Sequence, residues 1–313
     1  MNYKVFIRRT ILLFGLFFLL DFLISLILLT GLNKYYGIYQ KPEVLINGSS
    51  MTMSGFSRTD MEQITKKKIA CYSHEGVSVV ERFAMIDYFF RICPQGVNTV
   101  IYEVNPLMFS STKTADNVYT IFYPYLDNRL IDRFVKDRAS NKEYYTNKII
   151  RTKRFESRII GDIISGYLGK YNNIKTNTLD TLAILQFIDL NGHIDVMMKQ
   201  SSIEVFENTM DEIRAHNSVI LLIMMPMYYL KYQTFNEEGY NKLCKYFEDY
   251  CLSASDTKFL DMNQDSIIYQ AGYFSDPLHL NAYGQSYVTQ KVSSYIINNP
   301  DLKENTQCLK SSH

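Results

Sequence analysis

The chain has 313 residues, 47% of them hydrophobic, with 33 Lys and Arg against 32 Asp and Glu and a formal net charge of +1. That length holds one large domain or two small ones with enough core to fold unaided, and with the charges balanced nothing suggests a nucleic-acid surface. Five cysteines, an odd count with no Cys-x-x-Cys pair, exclude a dense disulfide framework. Cys244 and Cys251 fall in a helical-looking stretch seven residues apart. On a helix that is ~10.5 Å, beyond the ~7 Å a disulfide spans. A Cys71–Cys93 pairing stays open; Cys308 lies in the polar tail.

The first element is apolar. Sixteen of the twenty residues from Ile11 to Thr30 are Leu, Ile or Phe, and a membrane span needs ~20 such residues. At roughly −0.3 to −0.6 kcal/mol each they outweigh the ~3 kcal/mol cost of a central Asp21. The run is longer than a signal-peptide core and no Ala-x-Ala-like cleavage site follows it. An uncleaved anchor over 11–32 is expected, after a short cytoplasmic N-terminus (1–10). Lys4, Arg8 and Arg9 precede it and only Lys34 and Lys41 follow closely, which keeps the N-terminus inside and places the rest of the chain outside the cytoplasmic membrane, periplasmic or extracellular. Tyr35, Tyr36 and Tyr39 suit the far interface, and 33–42 reads as a linker. Asp21 has two readings, a carboxylate turned to a partner helix or one that is protonated or snorkels.

From about residue 43 the pattern changes to alternating strands and helices. Glu43–Ile46 is a short buried strand after Pro42, closed by Asn47-Gly48-Ser49-Ser50, a turn that presents a hydroxyl at the carboxyl edge of a sheet, where open α/β sheets bind ligands. A polar helix follows around Thr59–Lys67, ending in the Lys66-Lys67-Lys68 cluster, a solvated helix end before it is a binding site. Ile69–Tyr72 is a second strand, leading to Ser73-His74-Glu75-Gly76. His74 has no second His at ligand spacing and reads as a loop residue near the site, not a metal ligand. Gly76 suits a backbone that approaches a ligand closely. Val77–Ile92 is a helix stopped at Cys93-Pro94, and Thr99–Val104 a third strand with Asn105-Pro106 at its end.

Residues 107–199, far longer than the dozen a crossover requires, read as a helical insertion or lid. It holds an aromatic segment (Tyr119–Tyr125), a charged helical stretch (Leu126–Gly161) and a loop near Gly166–Asn173, with His193 and Asp195 as surface residues. Beyond it come a crossover helix (Glu204–Ala215), a fourth strand (Val219–Met225) and Tyr228-Tyr229, at a site mouth or in a packed corner. A helix (Phe235–Tyr250), a fifth strand (Lys258–Met262), the loop Gly272–Leu280 with Asp276-Pro277-Leu278-His279, and a closing helix (Ala282–Ile297) complete the domain. The tail 298–313 is polar. Together these give one domain over 43–297, a three-layer α/β/α fold with a mainly parallel sheet. An α/β-hydrolase elbow needs Gly-x-Ser-x-Gly; Gly48-Ser49-Ser50-Met51-Thr52 lacks the second Gly.

A hydroxyl becomes a nucleophile when a base takes its proton and a third group orients the base. Ser50, His279 and Asp276 are candidates for those parts. Separately, a serine here is an ordinary helix cap and Asp-Pro an ordinary turn; it is their pairing, after the first strand and before the last helix, that points to catalysis.

These blocks resemble the SGNH/GDSL hydrolase superfamily over roughly residues 43–106 and 218–297, and more closely its membrane-anchored acyltransferase-like branch with a Gly-Ser-Ser block. The resemblance implies a five-stranded, flavodoxin-like strand order, Ser50 as nucleophile, His279 as general base with Asp276 behind it, and an oxyanion hole from Ser50 N–H, Gly76 N–H and the Asn105 amide. Two departures stand out: Ser49 replaces the usual Asp of Gly-Asp-Ser, as in that branch, and Glu103-Val104-Asn105-Pro106 replaces Gly-x-Asn-Asp. No metal or cofactor is implied. The branch places acyl groups, O-acetyl foremost, on cell-envelope polysaccharides, with a separate multispanning acyltransferase as partner to bring the acyl group across the membrane. The competing expectations are a carbohydrate esterase or deacetylase, and a glycan-binding or scaffold pseudoenzyme in which Ser50 and His279 stand apart.

Overall fold

The computed structural model describes residues 3–110, 117–171, 173–182, 184 and 194–299; His193, Cys308 and nearly all of the expected tail lie outside them. The chain forms two compact units, Gly37–Asp116 with Asn172–His313, and Met1–Tyr36 with Asn117–Tyr171.

The first of these is built on five parallel strands, β1 (Val44–Gly48), β2 (Ile69–Ser73), β3 (Thr99–Val104), β4 (Val219–Met224) and β5 (Thr257–Asp261), in the order β2-β1-β3-β4-β5. Leu45 sits between Ala70 and Val100, and Ile101 between Ile46 and Leu221. β1 and β3 are buried along their whole length, which is why Val44–Ile46 and Val100–Tyr102 are continuous apolar stretches with no polar–apolar alternation. The flavodoxin-like order expected above is the one observed. Strand direction of travel reverses between β1 and β3, and ligands bind at such a switch point, beyond the strands' carboxyl ends. Gly48 and Val104 mark that place.

Helices cover both faces. On one, α4 (Val79–Ile92) packs with α8 (Gln200–Ala215), and α9 (Glu237–Ser253) lies alongside. There Phe206 and Phe247 stand 5.8 Å apart, centroid to centroid, with Phe206 against Tyr102 and Phe247 against Phe259 of the sheet. On the other face α2 (Ser50–Gly55) and α3 (Arg58–Thr65) pack with α10 (Ala282–Asn298), whose Val288, Val292 and Ile296 join Val44, Ile46, Ile101 and Leu221 in one buried cluster. The helix starts are written in the sequence: Ser49, Ser57, Ser78 and Asn281 each cap one with a side-chain oxygen, and Ser78 closes a capping box with Glu81.

The second unit consists of α1 (Tyr3–Tyr36), α5 (Arg129–Lys136), α6 (Asn141–Ile149), α7 (Ser157–Leu168) and 3₁₀ turns at Val118–Tyr125 and Arg151–Arg154. The charged stretch Leu126–Gly161 is therefore not one helix. Asn128 and Ser140 cap separate helices, and Ile150, in an extended conformation, ends α6. α1 is the one helix among the described residues long and apolar enough to cross a membrane. α7 packs along it through glycines: a Cβ on Gly166 would collide with the Gly31 carbonyl oxygen.

Candidate active site

The site begins with the turn after β1. Ser49 caps α2, its Oγ accepting the Met51 N–H at 3.3 Å, and so Ser50 becomes the first helical residue. The first N–H groups of a helix have no intrahelical acceptor, which leaves the Ser50 N–H outside the helix's own bonding. The turn is fixed from below by Glu103, fully buried at the end of β3. Its carboxylate accepts the Ser49 N–H at 2.5 Å and the Ser49 hydroxyl at 2.8 Å. Gly48 makes room for this: a Cβ there would lie 2.5 Å from Glu103 Oε2 and 2.5 Å from Thr52 Oγ1.

The second half is the loop between β5 and α10. Asp276 Oδ1 accepts the N–H groups of Leu278 and His279, both at 3.0 Å, an Asx turn that folds the aspartate back on the histidine. Ser275 N–H and Oγ donate to the His279 carbonyl at 2.8 and 3.1 Å. Tyr228 N–H donates to Pro277 O, tying the loop to the segment after β4. Asn281, while capping α10, donates from Nδ2 to the carbonyls of Gly272 and Phe274. Residues 272–281 are thus held by side-chain and backbone hydrogen bonds independent of Ser50.

The two halves meet. His279 Nε2 lies 2.8 Å from Ser50 Oγ, and His279 Nδ1 lies 2.8 Å from both carboxylate oxygens of Asp276. Asp276, acceptor-only when ionised, requires the proton on Nδ1; Nε2 is then the acceptor facing the Ser50 hydroxyl. Partial burial alone would raise the Asp276 carboxyl, but the His279 and Leu278 hydrogen bonds and the charges of His279 and of Lys175, 3.6 Å away, outweigh it and bring it down to about 2. This is the connectivity of a hydroxyl nucleophile, a base and an orienting acid.

The other expected site residues are placed as follows. Gly76 lies in the turn after β2 with φ +70°, a left-handed conformation that favours glycine. Asn105 follows β3; its Nδ2 donates to Glu103 Oε1 at 3.2 Å and its Oδ1 accepts the Leu107 N–H. Glu103 thereby links Asn105 to Ser49. His74 is buried beside the same edge, its N–H on Gly48 O at 3.2 Å and its ring against Tyr72. Tyr228 and Tyr229 form an edge-to-face pair in which Tyr228 is buried against Phe274, a packed corner. Cys71 and Cys93 are both free thiols; desolvation pushes them up to about 12 and about 11, so neither is a nucleophile at neutral pH. No three His, Cys, Asp or Glu side chains among the described residues are grouped to hold a metal ion.

Two contributors were not legible as such. Glu103 stood out only as a departure from a motif, although a lone carboxylate inside a buried strand already demands partners. Lys175 lies in the stretch with the weakest pattern, and nothing in the sequence ties it to Asp276.

The sequence matches no protein-family model and no curated protein significantly. Among solved structures, it is similar to a protein of Bacteroides fragilis NCTC 9343 described as a candidate acylhydrolase (10% identity, TM-score 0.40, covering 82% of this chain and 86% of that one). It is also similar to a candidate platelet activating factor from Streptococcus pneumonia (12% identity, TM-score 0.41, covering 92% and 99%). Likeness this slight leaves the chemistry to be judged from the side chains.

Proposed function

We propose that the chain carries out serine-dependent acyl-ester chemistry at the cell envelope, passing an O-acyl group, O-acetyl foremost, to a surface polysaccharide through an acyl-Ser50 intermediate. The observation that carries this reading is the unbroken relay Ser50 Oγ–His279 Nε2, His279 Nδ1–Asp276. Ser50 Oγ attacks the acyl carbonyl of the donor ester while its proton passes to His279 Nε2, and Asp276 stabilises the imidazolium. The Ser50 and Gly76 N–H groups and the Asn105 amide receive the oxyanion. Collapse expels the donor's alcohol, which takes the proton from His279 and leaves acyl-Ser50. An acceptor hydroxyl then gives its proton to His279 and attacks the acyl-enzyme, and collapse returns the proton to Ser50.

In this reading α1 is a single-pass anchor in the cytoplasmic membrane, with Lys4, Arg8 and Arg9 inside and the sheet unit outside. One span offers an acyl donor no path through a bilayer, so transfer requires a multispanning acyltransferase as partner. The same relay serves water as acceptor, which is the esterase reading. A scaffold without chemistry has no use for a base 2.8 Å from the hydroxyl.

The test uses the full chain in detergent or nanodiscs, with p-nitrophenyl acetate as donor, with and without an oligosaccharide acceptor. Nitrophenol release that is lost in Ser50→Ala establishes the nucleophile; acylated oligosaccharide then decides for transfer and free acetate for hydrolysis. Equal rates in both proteins, with no labelling of Ser50 by a serine-directed phosphonate, sink the catalytic reading.

A further inference from the structure

Asp21 stands mid-way along the apolar run of α1 and is nonetheless buried. Its partner is within the chain. Asp21 accepts the Arg151 N–H at 2.7 Å, the Thr152 N–H at 2.9 Å and the Thr152 hydroxyl at 2.6 Å, capping the Arg151–Arg154 turn. The Arg151 guanidinium lies over the Phe22 ring and pairs with Asp127, which also pairs with Arg154. Further along, α7 packs on α1 at Gly31 and the Tyr167 hydroxyl donates to Ile27 O. α7 and the 151–154 turn thus line one face of α1 from Asp21 to its C-terminal end, while Phe22–Ile24, Leu26 and Ile27 stay exposed.

Depth follows from helix geometry. If Arg9 marks the inner boundary, a ~30 Å hydrocarbon layer at 1.5 Å per residue ends about twenty residues later, near Leu29. Asp21 is then about 12 Å inside the outer boundary, and a tilted α1 carries it deeper. Whatever is hydrogen-bonded to Asp21 shares that level, so a bilayer around α1 meets the insert.

The insert's surface suits that meeting. Residues 117–171 carry eleven Lys and Arg against six Asp and Glu, a net charge of +5 in a chain whose total is +1. Their exposed side chains include Tyr145 and Ile149 on α6 and Ile164 and Leu168 on α7, from 52% to 64% exposed. Each pair is spaced i, i+4, so each forms a stripe on its helix. Exposed apolar stripes beside excess positive charge are the composition of elements that lie at an anionic bilayer surface, with apolar groups ~5–10 Å into the headgroup boundary. Ion pairs at the level of Asp21 draw headgroups and water inward and thin the outer leaflet there.

The geometry points to residues 117–171 as a second membrane-binding element, seated in the anionic phospholipid headgroups of the outer leaflet around α1. This rests on the reading of α1 as the anchor. Tyr145, Ile149, Ile164 and Leu168 enter the acyl–headgroup boundary, and exposed bases such as Arg133, Lys142 and Lys153 meet lipid phosphates.

The chain contains no Trp, so single-tryptophan variants of the full chain report depth directly. Phe14→Trp, Ile149→Trp, Leu168→Trp and, on α9 of the sheet unit, Leu252→Trp are reconstituted into phosphatidylcholine vesicles with or without phosphatidylglycerol, and quenching by brominated acyl chains is read. The expected result is that Phe14→Trp loses most of its emission in every vesicle. Ile149→Trp and Leu168→Trp lose a large share, more with phosphatidylglycerol and less in high salt, and Leu252→Trp keeps its emission. If Phe14→Trp is quenched while Ile149→Trp and Leu168→Trp are not, the inference falls and the anchor stands, leaving that face to a protein partner. An unquenched Phe14→Trp removes the anchor reading and the inference with it. Quenching of Ile149→Trp and Leu168→Trp indifferent to lipid charge overturns the headgroup assignment, and quenching of Leu252→Trp as well reduces the effect to non-specific adsorption.

Discussion

Two carboxylates serve two consecutive serines, and they do so from opposite environments. Glu103 is fully buried at the end of β3 and binds Ser49 through its N–H and hydroxyl. Asp276, whose side chain is 43% exposed, reaches Ser50 only through His279. A buried carboxylate that ties the Ser49 turn to Asn105 is a structural clamp, expensive to leave unpaired. An accessible one in a backbone-built loop can stabilise a positive charge that appears beside it during a reaction. The prediction from this contrast is a double dissociation, in which Asp276 governs rate and Glu103 governs folding.

The largest expected effect is on rate. Asp276→Asn keeps an oxygen for the Leu278 and His279 N–H groups, so the loop folds as before. The new amide, however, donates where the carboxylate accepted. His279 must then offer a bare Nδ1 and carry its proton on Nε2, facing the Ser50 hydroxyl with no lone pair to take its hydrogen. With the base in the wrong tautomer, kcat should fall by ~10³–10⁴ while the melting temperature stays within a few degrees. An equal loss of rate and stability would make Asp276 another structural carboxylate and break the comparison.

Glu103→Ala is the converse. It strips the Ser49 N–H and hydroxyl and the Asn105 amide of an acceptor in a dry place, at a cost of about 2–3 kcal/mol, roughly 4–10 °C in melting temperature. Glu103→Gln, which keeps one acceptor oxygen, should recover part of that. The rate should suffer less than in Asp276→Asn, since the relay from Ser50 to Asp276 does not pass through Glu103. A Glu103→Ala protein as stable as the parent but without activity would place Glu103 in the chemistry.

These residues also show what the sequence carries and what it withholds. The relay was legible because Gly48-Ser49-Ser50 and Asp276-Pro277-Leu278-His279 are local: each is a strand-end turn whose residues define its own geometry. The sheet was legible because its parallel strands are short, mostly apolar runs separated by helical periodicity. Glu103 was not, since its meaning comes from Ser49, fifty-four residues earlier, and no local pattern encodes a long-range acceptor. Asp21 was half legible. That a carboxylate in an apolar helix needs a partner follows from its charge, but that Thr152 supplies it follows only from the packing of α7 and the 151–154 turn on α1. The Leu126–Gly161 stretch reads as helical on composition, and its division into separate helices is set by the caps at Asn128 and Ser140 and the extended Ile150.

Gly48→Ala tests the clamp from its other side. The added methyl would press on both Glu103 Oε2 and Thr52 Oγ1, and displacing a fully buried carboxylate should cost about 1–3 kcal/mol. Because Glu103 would shift, Ser49 and with it the Ser50 hydroxyl should drift from His279, lowering kcat more than KM rises. Combining Gly48→Ala with Glu103→Ala should cost less than the sum of the two, because the methyl then presses on Thr52 alone; simple additivity would show that Thr52, and not the carboxylate, sets the need for the glycine.

The smallest effect is the pH dependence of Asp276. Its carboxyl titrates at about 2 in the folded chain and near 3.9 when unfolded. A group depressed in this way stabilises the fold above the unfolded value, and the contribution disappears as pH falls through the folded one. Solvent screens a group this exposed, so the amount should be under ~1 kcal/mol. The stability difference between the parent and Asp276→Asn should therefore be constant from pH 5 upward and shrink between about 4 and 2. Over the same upper range Asp276 stays ionised, so any acid limb in the rate between pH 5 and 8 belongs to another group. A stability difference that stays flat as pH falls from about 4 to 2 would mean that the carboxyl is not depressed in the folded chain. Its hydrogen bonds to Leu278 and His279 would then not hold it as the geometry requires.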